Sequence, residues 1–167
     1  EVDARLRGDG ATKAAILEAL ADPNYDVVHF NGHGYFDSLD GTGSGLICAG
    51  EERLSLADLK GIEIGPRLVF FNACESARMR GKPTQSAARA LAEYILCGGV
   101  EAYLGTYWPV EDVAAAHFAV AVYRELARGK QLDQAVLNAR KLLHEAKRRD
   151  WANYVLYGSG AFKIKTG

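Results

Sequence analysis

The chain has 167 residues, 49% hydrophobic and 25% charged, a composition that suits one globular domain with a real core and excludes a chain disordered as a whole. Its 20 Lys+Arg and 21 Asp+Glu leave a net charge of −1, so no overall field favours nucleic acid or an anionic membrane. Three cysteines at irregular spacing argue against a disulfide framework and fit a reducing cytoplasm. The sequence shows neither a signal peptide nor an apolar run long enough to span a bilayer. It starts at Glu1 rather than methionine, which we read as a single domain over residues 1–167 forming the C-terminal part of a longer protein.

In chain order, residues 11–21 read as a helix stopped by Asp22-Pro23-Asn24, and residues 26–32 follow as a β-branched strand. A Gly-, Asp- and Ser-rich loop over 37–45 precedes two short segments, Leu46 to Cys48 and Arg53 to Ser55, that are predicted to pair as a hairpin. Ser55 with Asp58 three residues on is the pattern of a capped helical start. Residues 67–73 are apolar almost throughout, as expected of a strand covered on both faces. A helix over 84–97, a strand over 99–107 and a long helix over 111–128 come next. Leu132, Ala135, Val136, Ala139, Leu142, Leu143 and Ala146 recur at three and four, which predicts a helix over 131–148. Two final strands, Tyr154 to Tyr157 and Ala161 to Lys165, are expected around Gly158-Ser159-Gly160. Alternating strands and helices imply an α/β fold with a mostly parallel sheet and helices on both faces.

Two of the strands run into residues capable of acyl transfer. Val27-Val28-His29-Phe30-Asn31-Gly32 leads into His33-Gly34, and Leu68-Val69-Phe70-Phe71-Asn72-Ala73 leads into Cys74. Carboxyl ends of neighbouring parallel strands share one edge, where α/β proteins put their sites, so these residues are expected to meet although 74 − 33 = 41 positions separate them. A thiolate is the nucleophile where a thiol is not, so Cys74 needs a base, for which His33 is the candidate, and donors for the oxyanion. The Cys74 and Gly34 amides are the candidate donors, the glycine because nothing but hydrogen stands between its backbone and a substrate carbonyl. Strand alternation groups Phe70, Asn72 and Cys74, and puts Asn72 at the border of the pocket for the substrate residue before the scissile bond, P1.

These residues resemble the caspase-like cysteine peptidases, and the segment Asn72-Ala73-Cys74-Glu75-Ser76 is similar to the legumain nucleophile segment. The fuller resemblance is to the CHAT domain, a separase-related, caspase-like module often found with TPR repeats in bacteria. It rests on an ordered set: Val28 to Gly34, Asn72-Ala73-Cys74, Gly98-Gly99-Val100, Tyr107-Trp108-Pro109-Val110-Glu111-Asp112 and Trp151 to Gly158. The resemblance implies a three-layer sandwich with a His33–Cys74 dyad acting on a protein or peptide substrate. It also implies a TPR-type or other sensor domain as regulator. An acidic residue four positions after the matching tryptophan meets a basic P1 side chain in separases. Here that position is Asp112, with Glu111 beside it and Trp108 lining the pocket, which implies cleavage after Arg or Lys. Asn72 departs from basic-specific relatives that carry an acid two before the cysteine.

Other residues read more plainly. His29, inside the strand, is expected to be a hydrogen-bonded core or supporting histidine, and His117 and His144 are packing or surface residues. Cys48 and Cys97 are expected to be buried thiols, with the alternative that Cys97 before Gly98-Gly99 only marks a helix end, and Trp108 and Trp151 packing anchors. The histidines and cysteines lack metal-ligand spacing, so no structural zinc and no cofactor are predicted. Gly41-Thr42-Gly43-Ser44-Gly45 lacks the lysine of a phosphate loop. Arg78, Arg80 and Lys82 read as an exposed basic segment and as candidate self-cleavage positions. A silent scaffold that kept the fold without turnover, or a thiol hydrolase or acyltransferase acting on another carbonyl, would carry the same two residues.

Overall fold

The structure, a computed structural model, describes residues 5–35, 45–74 and 87–165, with the backbone alone for 73, 74 and 87–91. Its elements in chain order are α1 (Lys13–Ala21), β1 (Val27–Tyr35), β2 (Gly45–Ile47), β3 (Arg53–Ser55), α2 (Leu56–Leu59), β4 (Leu68–Cys74) and α3 (Ala87–Cys97). There follow β5 (Ala102–Thr106), α4 (Asp112–Ala127), α5 (Leu132–Glu145) and β6 (Tyr154–Gly158). The loop over 37–45 lies outside the described residues except for Gly45, as do Glu75, Arg78, Arg80, Lys82 and the first turn expected of the helix over 84–97.

The six strands lie in the order β3-β2-β1-β4-β5-β6. β1, β4 and β5 run parallel in the centre, and both flanks are antiparallel. Each face of the sheet carries its own core, which is why Leu68 to Phe71 of β4 and Ala102 to Leu104 of β5 are apolar at successive positions rather than at alternate ones. Leu68, Phe70, Leu104 and Tyr154 on one face pack with Ala114, Phe118 and Val122 of α4 and Leu132, Ala135, Ala139 and Leu143 of α5. Val69, Phe71 and Tyr103 on the other pack with Ile16 and Leu20 of α1, Leu56 and Leu59 of α2, and Ile95 of α3. Burying one such Leu or Phe side chain is worth about 1.5–3 kcal/mol, so two filled faces stabilise a sheet whose strands have only three to nine residues.

Local signals start the elements. The Thr12 hydroxyl accepts from the Ala15 N–H at 3.2 Å and caps α1. In the expected capping box before α2, the Ser55 N–H and hydroxyl donate to the Asp58 carboxylate at 2.7 and 2.8 Å. The hairpin of β2 and β3 forms as predicted, and Gly45 has to be glycine there, because a Cβ would stand 1.8 Å from the Leu54 carbonyl oxygen. At the amino end of the sheet Arg67 binds Asp26 at 3.1 Å and Glu101 at 2.7 Å and lies over the Phe162 ring.

Four expectations are corrected. β1 continues past residue 32 to Tyr35, because Gly34 and Tyr35 pair with Leu46 and Gly45 of β2, so His33 lies within the strand. β5 starts at Ala102 rather than near 99, after Gly99 turns the chain at φ 104°. α5 stops at Glu145 because Lys147 adopts φ 55°, with the Lys147 and Arg148 N–H groups returning to His144 and Leu143 carbonyls. Residues 161–165 form no strand. Their backbone serves α5 instead: the Leu132 and Asp133 N–H groups donate to the Phe162 and Gly160 carbonyls at 3.0 Å, satisfying donors that a helix start leaves open. The single strand β6 pairs antiparallel with β5.

Candidate active site

Three parallel strands deliver their carboxyl ends to one edge of the sheet, and β6, being antiparallel, brings its amino end there too. In the register of β1 with β4, His33 is the partner of Cys74. Neighbouring strands lie about 4.8 Å apart, so the two residues sit side by side, Cys74 as the last residue of β4 and His33 two residues before the end of β1. Position 74 has the same phase along β4 as Phe70 and Asn72, whose side chains face α4 and α5. His33 is exposed, and Gly34 after it is buried where it pairs with Leu46.

Asn72 lies deep. It is 2% exposed, and its carboxamide oxygen accepts from the Tyr154 hydroxyl at 3.2 Å. Tyr154 in turn is stacked on Phe118 of α4 with ring centroids 3.4 Å apart. The position two before Cys74 is therefore tied into the α4 face of the core through β6.

The segment after β5 is held by a residue to which the sequence assigns no role. Asn153 is fully buried, and its carboxamide oxygen accepts from the N–H groups of Tyr107 and Trp108 at 2.7 and 2.8 Å. Its side-chain N–H₂ donates to the Trp108 carbonyl at 2.7 Å, and its own carbonyl accepts from the Tyr107 N–H at 3.0 Å. The backbone is fixed while both rings stand in solvent, Tyr107 at 43% and Trp108 at 44% exposure. Trp108 and the 40% exposed Trp151 are thus not the buried packing anchors the sequence suggests. Trp151 meets His144 edge-on at 5.3 Å, and its carbonyl accepts from the Arg140 Nε–H at 3.0 Å.

Glu111 and Asp112 stand where α4 begins, and the structure separates them. Glu111 is bound by Arg148 at 2.5 Å. Asp112, exposed in the first turn of α4, has no ion pair among the described residues.

A family model, the CHAT domain, matches residues 2–159 of this chain. The chain belongs to the CHAT family. CHAT domains are caspase-like, and the sheet with helices on both sides is the fold such a family shares. No curated protein matches the chain.

The remaining candidates fall around the CHAT framework. His29 stacks flat on Phe70, ring centroids 4.3 Å apart, with Tyr123 at 5.6 Å. β1 has no described neighbour beside His29 on its outer edge, so the residue keeps solvent contact; burial of the ring among these aromatics nevertheless pushes its pKa down to about 4. His117 and His144 are exposed on α4 and α5. Cys48 is buried, and desolvation raises its pKa. Cys97, expected to be buried, is exposed as the last residue of α3, where Gly98-Gly99 turns the chain. Among the described residues no group of His, Cys, Asp and Glu could hold a metal ion, and no helix is long and apolar enough to cross a membrane.

Proposed function

We propose that this CHAT domain is a cysteine endopeptidase that acts through His33 and Cys74. The observation that carries the reading is their pairing as register partners near the carboxyl ends of adjacent parallel strands, in a domain of a caspase-like family. His33 takes the thiol proton, and the Cys74 sulfur attacks the peptide carbonyl carbon. The oxyanion that forms is held by the Gly34 and Cys74 N–H groups. Imidazolium His33 then protonates the amine as the C–N bond breaks, leaving a thioester. Water, deprotonated by His33, hydrolyses that thioester and releases the new carboxylate with the free thiol.

P1 is Arg or Lys in this reading. Asp112 is the carboxylate that meets it, since Arg148 already engages Glu111. Trp108 offers an exposed indole to the flat guanidinium, and Asn72 closes the floor. The enzyme works in a reducing cytoplasm under the control of a sensor or TPR-type domain outside this chain.

Cleavage-site profiling of a peptide library by the wild-type domain and by Cys74→Ala, alone and within the parent protein, tests this. Cuts that vanish in Cys74→Ala and in His33→Ala establish the dyad. Cuts absent from every form reject it in favour of a silent scaffold. In the same assay Asp112→Ala is expected to lower kcat/KM for Arg at P1 by about 10–100-fold, the loss of one charge-assisted contact. An unchanged Arg preference would remove Asp112 from the pocket.

A further inference from the structure

We infer that Asn153 is a positioning residue of the substrate pocket: it sets the Tyr107-Trp108 backbone so that the Trp108 indole forms a fixed wall for the P1 side chain. The inference rests on the peptidase reading for the identity of the substrate, and on the hydrogen bonds of Asn153 for the rest.

An exposed indole on a mobile loop would lose rotational and backbone freedom on meeting a ligand, and that loss would weaken binding. The backbone that carries the indole is instead held before any ligand arrives. The Asn153 carboxamide makes one acceptor contact to each of two successive N–H groups and donates to the carbonyl of the second residue, the full set of polar backbone groups at Trp108. A buried amide with its donor and acceptor both engaged is costly to move, because any shift leaves polar atoms unpaired away from water. No other residue type reproduces this set. Aspartate keeps both acceptor contacts but places a second oxygen against the Trp108 carbonyl, and leucine supplies neither donor nor acceptor.

The location gives the clamp its purpose. Asn153 immediately precedes β6, whose first residue, Tyr154, pairs with Thr106 at the end of β5 and holds Asn72 two residues before Cys74. The dipeptide Asn153-Tyr154 thus fixes two of the candidate pocket residues, one through the backbone of 107–108 and one through a side chain. Three residues beyond Trp108, Arg148 and Glu111 pin the start of α4, leaving Asp112 as the carboxylate that continues the wall. The ligand chemistry that suits an exposed indole next to a carboxylate is a planar cation on an apolar stem, arginine ahead of lysine.

The test compares wild type, Asn153→Ala and Asn153→Asp in a Trp151→Phe background, where Trp108 is the remaining tryptophan. Binding of an arginyl peptide is read from Trp108 emission with Cys74→Ala added, and cleavage is read with Cys74 present. Asn153→Ala is expected to raise Kd and KM about tenfold or more, since a displacement of 1 Å can cost up to ~100-fold. Alkylation of Cys74 by iodoacetamide, which needs no P1 pocket, should stay within about twofold. Acrylamide quenching of Trp108 should change in the same variant, and Asn153→Asp should fall between the two. Unchanged Kd, or unchanged Trp108 quenching in a folded Asn153→Ala chain, overturns the proposal. If Asn153→Ala does not fold, Asn153→Asp decides by the same readings. A wild type that binds the peptide in an Asn153-dependent way but cuts nothing refutes the peptidase and leaves the clamp standing.

Discussion

His29 and Asn153 are both polar residues built into the apolar framework, and they behave oppositely. Asn153 is saturated with hydrogen bonds, whereas His29 is held by ring stacking on Phe70 and is kept neutral by its surroundings. The imidazole takes up its proton near pH 6.5 in the unfolded chain and only at about 4 in the folded one, so the unfolded state binds more protons between those values. The contribution of His29 to stability is therefore complete above pH 6.5 and is lost as the pH falls through this window. Solvent contact at the open edge of β1 makes the loss smaller than the full shift would give. His29→Phe, which can stack on Phe70 without titrating, should show a smaller drop in urea midpoint between pH 7 and pH 5 than wild type, about neutral to mildly acidic conditions being enough to expose the difference. Equal drops in the two proteins would mean that His29 titrates normally. The sequence marks His29 as a hydrogen-bonded core or supporting residue but not its stacking on Phe70, and nothing in it marks Asn153, one asparagine in an aromatic run whose partners lie 45 and 46 positions away.

Elements whose starts depend on neighbours in the chain were legible, and those whose ends depend on distant parts were not. The Ser55–Asp58 box and the three-and-four periodicity of α5 are local patterns, and both form where the sequence puts them. The stop of α5 carries no such mark, because Lys147 occupies the left-handed position where glycine is usual. By contrast α4 stops at Ala127 and Gly129 takes the left-handed position after it, φ 76°, with the Lys130 and Gly129 N–H groups returning to the Glu125 and Leu126 carbonyls at 3.2 and 2.9 Å. Lys147→Gly should relieve the steric cost of that backbone, raising stability by about 1 kcal/mol in denaturant unfolding; a lower midpoint would show that Lys147 is not strained. Residues 161–165 have strand composition, yet the Phe162 carbonyl, with that of Gly160 just before the segment, goes to the first turn of α5, a use that no local pattern announces. The pairing of His33 with Cys74 was legible for the opposite reason: a glycine-flanked histidine and a cysteine at the ends of apolar runs need only the parallel topology to become neighbours.

At the scale of the whole molecule, one sheet separates two cores that share no side chains but share every central strand. Leu104→Ala on the α4–α5 side and Ile95→Ala on the other should each cost about 2–5 kcal/mol. Circular dichroism and tryptophan fluorescence should still report one transition, since the strands couple both layers. Separate transitions would mean that the layers unfold independently. The antiparallel return of β6 has a further consequence, for the order in which the protein is made. A chain synthesised from its amino end acquires His33 and Cys74 early, but Asn153 follows Cys74 by 153 − 74 = 79 positions. Until the ribosome has released that stretch, the Tyr107-Trp108 backbone has no buried amide to hold it and Asn72 has no hydroxyl donor from Tyr154. A nascent chain can thus carry His33 and Cys74 while the supports of the 107–108 backbone and of Asn72 are still missing, so the edge of the sheet is completed last in time although it lies mid-sheet in space.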